Sequence, residues 1–351
     1  MPPLDLREIL SMVVAWQSPT PRPPEFQFAW SPSAARHNLN VLRKYNMDLD
    51  AAIRAQPFST LTPGSEFRPA AVLEPLCGGH PLWPRVRQYL THGTECPLLP
   101  ISEPERLCDL RMMIRRGNHQ SAKRAEPRVI EILQDEVTHM WQLPLPPSAV
   151  TQLPGIVIAP VGLADQLSIN ERGEIIPKQR LTHDQSFNVV PGTRRSVNDR
   201  VRFDALTPCR YGHALLCFIH VIITLRARHP NEPILTTKVD LKAAYRRLHL
   251  TAAMAVQACV LIDNLLLVAL RLTFGGAPNP SQWSDVSELA FDLANDLVRN
   301  SGWDPALHSS PHQHLIADHT ELQPPSVPFA PACDVTALYP DDSSPKCDGY
   351  L

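Results

Sequence analysis

The chain has 351 residues with 33 Lys/Arg against 35 Asp/Glu, a formal net charge of −2, and 37 prolines against 14 glycines. That length allows two or three domains and a sizeable core, and the prolines, concentrated before residue 160 and after 304, leave the middle as the best-folded piece. Eight cysteines without a C-x-x-C pair or a Cys/His ligand spacing argue against zinc, the apolar runs are too short to cross a bilayer, and the lack of a signal peptide points to a reducing intracellular setting, cytoplasmic or nuclear.

Charge becomes informative when resolved along the chain. Residues 171–247 hold 14 Lys/Arg against 7 Asp/Glu, a local +7, whereas 301–351 hold one Lys against 7 Asp/Glu, a local −6. A basic central segment is what phosphate contact requires, and a solvated surface is the alternative explanation. The tract His308, His312, His314, His319 lies among Ser, Pro and Gln and reads as solvated loop within a polar stretch, 301–333, expected to be disordered.

Residues 1–148 read as a mainly helical, Pro-rich region without a recognisable role. An amphipathic stretch runs from Ala34 to Ile53, and a second helix covers Trp83 to Leu90. A third, Glu126 to Trp141, puts Val129, Ile132, Leu133, Val137 and Met140 on one face. The turn before it contains His119 and Ser121, for which the sequence offers no third catalytic partner. Leu143 to Ser148 reads as a linker.

Past that linker the pattern changes to strands. Ile156 to Pro160 is a short apolar run, and Asp165 to Asp184 reads as two alternating strands about a turn at Arg172-Gly173. Lys178 and Arg180, two apart, share one strand face. A Gly turn followed by Lys178, Arg180 and, four residues later, Asp184 resembles the fingers hairpin of reverse transcriptases. The resemblance implies that Arg180, with Lys178 as partner, grips the triphosphate of an incoming nucleotide through a planar donor fork. Ser186 and Ser196-Val197-Asn198-Asp199 are similar to the loop that ends the fingers in several retroelement polymerases. A helix is expected from Phe203 to Arg228, with Leu206, Leu215, Ile219, Ile222 and Leu225 as its core stripe and Cys217 and His220 as packing residues.

An apolar run then leads to Asp240, which is expected where a strand ends and a helical turn begins. Val256 to Ile262 and Leu265 to Leu272 read as a hairpin about Asp263-Asn264, followed by a helix from Ser281 to Arg299 with Trp283, Val286, Leu289, Leu293 and Leu297 on one face. Asp240 with Tyr245 five places on resembles the first palm motif of reverse transcriptases. There the Asp carries catalytic magnesium and the aromatic ring excludes a ribose 2′-hydroxyl. Leu272-Thr273-Phe274-Gly275-Gly276 with Pro280 and Trp283 resembles the second palm motif, although Thr273 stands where Pro is usual and Pro278 is additional. Phe274, Gly275 and Gly276 would bring backbone and ring close to the nucleotide.

Two-metal phosphoryl transfer needs carboxylates on a second strand, which in this family ends in aromatic-x-Asp-Asp. Tyr339-Pro340-Asp341-Asp342 matches the letters but has no apolar strand after it; Cys347-Asp348-Gly349-Tyr350-Leu351 stops where Asp-Asp would come next and is the favoured match. The resemblance therefore implies an α+β fold: a helical region over 1–148, reverse-transcriptase-like fingers over 149–232 and a partial palm with an antiparallel sheet over 233–351. The expected protein is an RNA-directed DNA polymerase domain of a retroelement, binding RNA/DNA template-primer, dNTP and Mg2+ but cut short and inactive, with no membrane partner. The alternatives are a non-catalytic nucleic-acid-binding or assembly protein derived from one, and an unrelated α/β protein.

Overall fold

A computed structural model describes residues 6–17, 20–57, 59–169, 172–206, 214–234 and 241–299. Asp240, the Asp341-Asp342 pair, Asp348 and the 301–333 stretch lie outside the described residues. Chain contacts divide into two units, residues 1–207 with 242–296, and residues 208–241 with 297–351.

In the first unit the secondary structure is mixed, with small antiparallel sheets among helices. The helices are α1 (Leu6–Ala15), α2 (Pro32–Lys44), α3 (Leu49–Arg54), α4 (Ala70–Cys77), α5 (Trp83–His92), α6 (Glu103–Arg116), α7 (Gln120–Arg124) and α8 (Glu126–Thr138). β1 (Gln142–Leu145), β2 (Val161–Ile169) and β3 (Ile175–His183) follow, and after residue 241 come α10 (Ala252–Ala255), β4 (Cys259–Ile262), β5 (Leu265–Ala269) and α11 (Asn279–Arg299). A three-stranded antiparallel sheet has the order β1-β5-β4, and β2 and β3 form a separate two-stranded sheet. Leu39 and Leu42 of α2 pack with Leu143, Leu145, Leu266 and Val268 of the sheet, so the N-terminal helices share its core. The other sheet face packs Val260, Ile262 and Leu267 against Val129, Leu133 and Val137 of α8, the stripe its periodicity predicts.

Several elements differ from the sequence reading. Leu143–Leu145 is no linker but a fully buried strand, Gln142 pairing with Ala269 and Leu145 with Leu266. Its prolines disguise it. A strand containing Pro144 is tolerated at a sheet edge, and there the Asn38 side chain donates to the Pro144 carbonyl at 2.9 Å. The stretch 34–53 is two helices, because Asn46 and Met47 turn the chain at φ 53° and 62° and the Asp48 side chain then caps α3 by accepting from Ala51 N. Ile156–Pro160 is not a strand but makes a single parallel bridge, Ile158 to Cys259.

The second unit contains α9 (Ala214–Arg228). Of the helix expected from Phe203 to Arg228, the described residues Ala214–Arg228 are helical, while Phe203–Ala205 forms a 3-10 turn. Of its expected core stripe, Ile219 is 43% exposed and Ile222 and Leu225 are only half-buried.

Candidate nucleotide-facing site

Three separately coded segments meet beside the β2–β3 sheet. Leu181 and His183 of β3 point into the core, so the alternate residues Lys178 and Arg180 stand together on the other face, both exposed, opposite Gln166 and Ala164. The Arg180 guanidinium lies 5.8 Å from the centre of the Phe274 ring, within cation–π reach. Phe274 in turn meets Tyr245 at a ring separation of 5.2 Å and a 54° tilt. Tyr245 sits in a 3-10 turn, 244–247, entered through Ala243 at φ 53°.

The loop carrying Phe274 is held by backbone as well as side chains. His183 N donates to the Phe274 carbonyl at 2.9 Å. Gly275, at φ +119°, lies so close to β3 that a Cβ there would stand 1.8 Å from the His183 carbonyl oxygen, so only glycine fits. A Cβ on Gly276 would meet the Asn279 side chain at 2.6 Å, and that side chain donates to the Thr273 carbonyl. Asn198 donates to the Gly275 carbonyl at 2.7 Å and to Ser186 Oγ at 2.8 Å, and accepts from Ala277 N at 2.8 Å. The buried Gln185 donates to Thr273 Oγ1 at 2.8 Å. The segments singled out around Ser186 and Asn198 thus fasten the loop of Gly275 and Gly276 to the end of β3. Nothing in their local pattern marks Gln185 and Asn198 as clamps; only the long-range fold assigns them that work.

Behind the loop lies a buried polar network that sequence reading missed. Glu136 of α8 and Arg246 form an ion pair, both side chains nearly inaccessible. Arg246 also donates to the Leu272 carbonyl at 3.1 Å, and Gln142 donates to Glu136 at 2.9 Å. His183 is fully buried beside this pair with neither ring nitrogen hydrogen-bonded. Burial pushes its pKa down to about 4, Glu136 opposing and Arg246 assisting, so it stays neutral. A second fully buried guanidinium, Arg271, is lowered to about 10 by burial, which Glu66 opposes; it donates to the Thr60 carbonyl at 2.9 Å. Tyr89 donates to the buried Asp285 of α11 at 2.8 Å, and burial raises its pKa.

His119 does have a carboxylate partner, Asp184 at 2.9 Å, but its other ring nitrogen faces an Arg116 nitrogen at 3.3 Å. A guanidinium only donates, so that imidazole nitrogen accepts and the other carries the proton to Asp184. Ser121 Oγ accepts from Leu163 N at 3.1 Å. With both imidazole nitrogens engaged, a Ser–His hydrolytic relay has no free base.

A cavity of about 40 Å³, lined by Met113, Asp184, Phe187, Arg195 and Arg200 among others, holds a few waters at most and is too small for a nucleotide. Among the described residues no group of three or more His, Cys, Asp or Glu side chains could hold a metal, and none of their helices is long and apolar enough to cross a membrane. No family model, curated protein or solved structure matches the chain.

Proposed function

We propose that the chain is a reverse-transcriptase-like domain of a retroelement, an RNA-directed DNA polymerase domain whose incoming nucleotide lies over Arg180, Phe274 and Tyr245. The observation that carries this reading is the meeting of those three side chains, which come from three motifs 65 and 29 residues apart. Sequence spacing alone does not require them to touch. In this reading Arg180 and Lys178 bind the triphosphate oxygens, the Tyr245 ring walls off a ribose 2′-hydroxyl, and the glycine pair lets template or nucleotide approach the backbone. The resemblance gives Asp240, outside the described residues, as the magnesium carrier. Among the described carboxylates, Asp184 is engaged by His119 and Asp199 by Asn188 and Ser196. Primer extension on an RNA template tests the reading: any synthesis should be removed by Asp240→Asn and by Arg180→Gln, and synthesis unchanged by both would refute it.

The second reading is a non-catalytic nucleic-acid-binding or assembly protein derived from such a polymerase. It is favoured by the setting of Asp341-Asp342, the sole Asp-Asp pair of the sequence, between Pro340 and Ser-Ser-Pro. Template-primer binding without extension, unaffected by Asp341→Asn/Asp342→Asn, selects it.

A further inference from the structure

Residues 111–128 carry six Lys/Arg against one acidic residue, Glu126, in a part of the chain to which no role has yet been given. The acidic residues of α6 occupy its first half and are engaged there: Glu103 with Arg106, Glu105 and Asp109 with Arg195. Its second half is different. Arg111 and Arg115 are exposed one turn apart, and Arg124 is exposed on α7; none of the three has a carboxylate partner among the described residues. Lys123 donates to the Arg116 carbonyl at 2.8 Å, folding α7 back against the end of α6. Cations in a last helical turn stabilise the helix C-terminus, which accounts for Arg115 and Arg116 of α6 and for Lys123 and Arg124 of the short α7, but not for Arg111.

The placement of this cluster gives it a direction. The segment before α7 is fixed to β2, His119 N donating to the Val161 carbonyl at 3.1 Å and Val161 N to the Asn118 side chain at 3.0 Å. His119 and Ser121 lie where a Cβ of Gly162 would point, each 3.5 Å from it, beside Thr182 at 3.2 Å. Thr182 shares its face of β3 with Arg180 and Lys178. His119 and Ser121, between α6 and α7, therefore lie on the hairpin face that carries Arg180, and the cations of α6 and α7 flank them in sequence.

We propose that Arg111, Arg115, Arg116, Lys123 and Arg124 form a binding track for the phosphodiester backbone of a single nucleic-acid strand, continuous with Lys178 and Arg180. The partner class rests on the polymerase reading, because it is Arg180 that ties the track to a nucleotide. The Phe187 ring beside this cluster is covered by the Arg116 guanidinium at 4.0 Å and by His119, while Met112 and Ile114, between Arg111 and Arg115, are exposed. Of the carboxylates in or next to these segments, Asp184 is bound to His119, Glu131 is paired with Arg128, and Asp165, bonded to Gln179, lies on the opposite face of the ribbon from Arg180; Glu126 is exposed. Recognition by this surface is through phosphate and is indifferent to base sequence.

Fluorescence anisotropy of a labelled 20-nucleotide RNA and its DNA counterpart, titrated with the full chain across a salt series, tests the track. Arg111→Gln/Arg115→Gln/Arg124→Gln should weaken binding tenfold or more for both and flatten the slope of log affinity against log salt by about two, ~0.7 per lost phosphate contact. Arg87→Gln, an exposed arginine elsewhere, should leave both unchanged, and melting curves of all variants should coincide. Binding by the triple variant within twofold of wild type, with an unaltered slope, overturns the track. Binding of phosphatidylserine vesicles that the triple variant loses, with no RNA or DNA binding by wild type, also overturns it in favour of a lipid surface. Nucleotide incorporation that depends on Arg180 but is unchanged in the triple variant sinks the track and spares the polymerase reading; strand binding lost in the triple variant, without any incorporation, supports the track and selects the non-catalytic reading.

Discussion

β4 and β5 reverse direction through Asp263 and Asn264, both at positive φ of 47° and 56°, and every residue of β5 is buried. β2 and β3 are each nine residues long, turn beyond the pair Ile169 and Ile175 with Gly173 at φ 78°, and are largely exposed; Leu167, Ile169 and Ile175 are 77%, 71% and 69% accessible. The first hairpin is covered by helices on both faces and carries no charged side chain between Cys259 and Ile262 or Leu265 and Ala269. The second is anchored only at its base, where Val161 and Leu181 enter the core, and its open face holds Lys178 and Arg180. One hairpin builds the platform and the other presents chemistry to solvent. A two-stranded ribbon is marginal by itself, so its base must be fixed, and the Gly275 loop and the segment before α7 supply that fixation.

Mutation separates the two roles, most strongly in the polar layer where the platform meets the ribbon. Arg246→Met leaves Glu136 buried without its partner and should cost about 3–5 kcal/mol, seen as a drop in urea midpoint. Leu266→Ala on β5, fully buried, should cost about 2–5 kcal/mol, whereas Leu167→Ala at the ribbon tip should stay within about 0.5 kcal/mol. Equal losses would erase the distinction. Gly275→Ala presses a methyl group on the His183 carbonyl at a positive φ and should cost about 1–3 kcal/mol while loosening Phe274 from Arg180. His183 supplies a pH test of the same junction. Its folded pKa of about 4 lies below the ordinary value of 6.5, so the unfolded chain binds a proton that the folded chain refuses. Stability should therefore fall as pH drops from 6.5 towards 4, by up to about 3 kcal/mol from this group. His249, also buried and lowered, acts with the same sign. His183→Phe should flatten the profile, and a profile identical to wild type would contradict the burial argument.

How much of this could be read from sequence depends on how local the cause is. Asp263-Asn264 between apolar runs encodes its own turn, and the apolar faces of α8 and α11 follow from periodicity. Lys178 and Arg180 share a face because they are two apart on a strand. Lost to local reading were features decided by partners far along the chain. Pro144 looks like a linker residue until Asn38 and Leu267 show it to be part of an edge strand. Glu136 and Arg246, 110 residues apart, read as two surface charges. Asn198 reads as loop until its amide is seen spanning Ser186 and Gly275.

The most direct test of the nucleotide-facing site is ultraviolet crosslinking of radiolabelled dTTP to the full chain, followed by peptide mapping. Label on the peptides containing Tyr245 or Phe274, lost in Arg180→Gln while the melting curve stays unchanged, is the predicted result. Crosslinks confined to other segments, or label indifferent to Arg180→Gln, would contradict it.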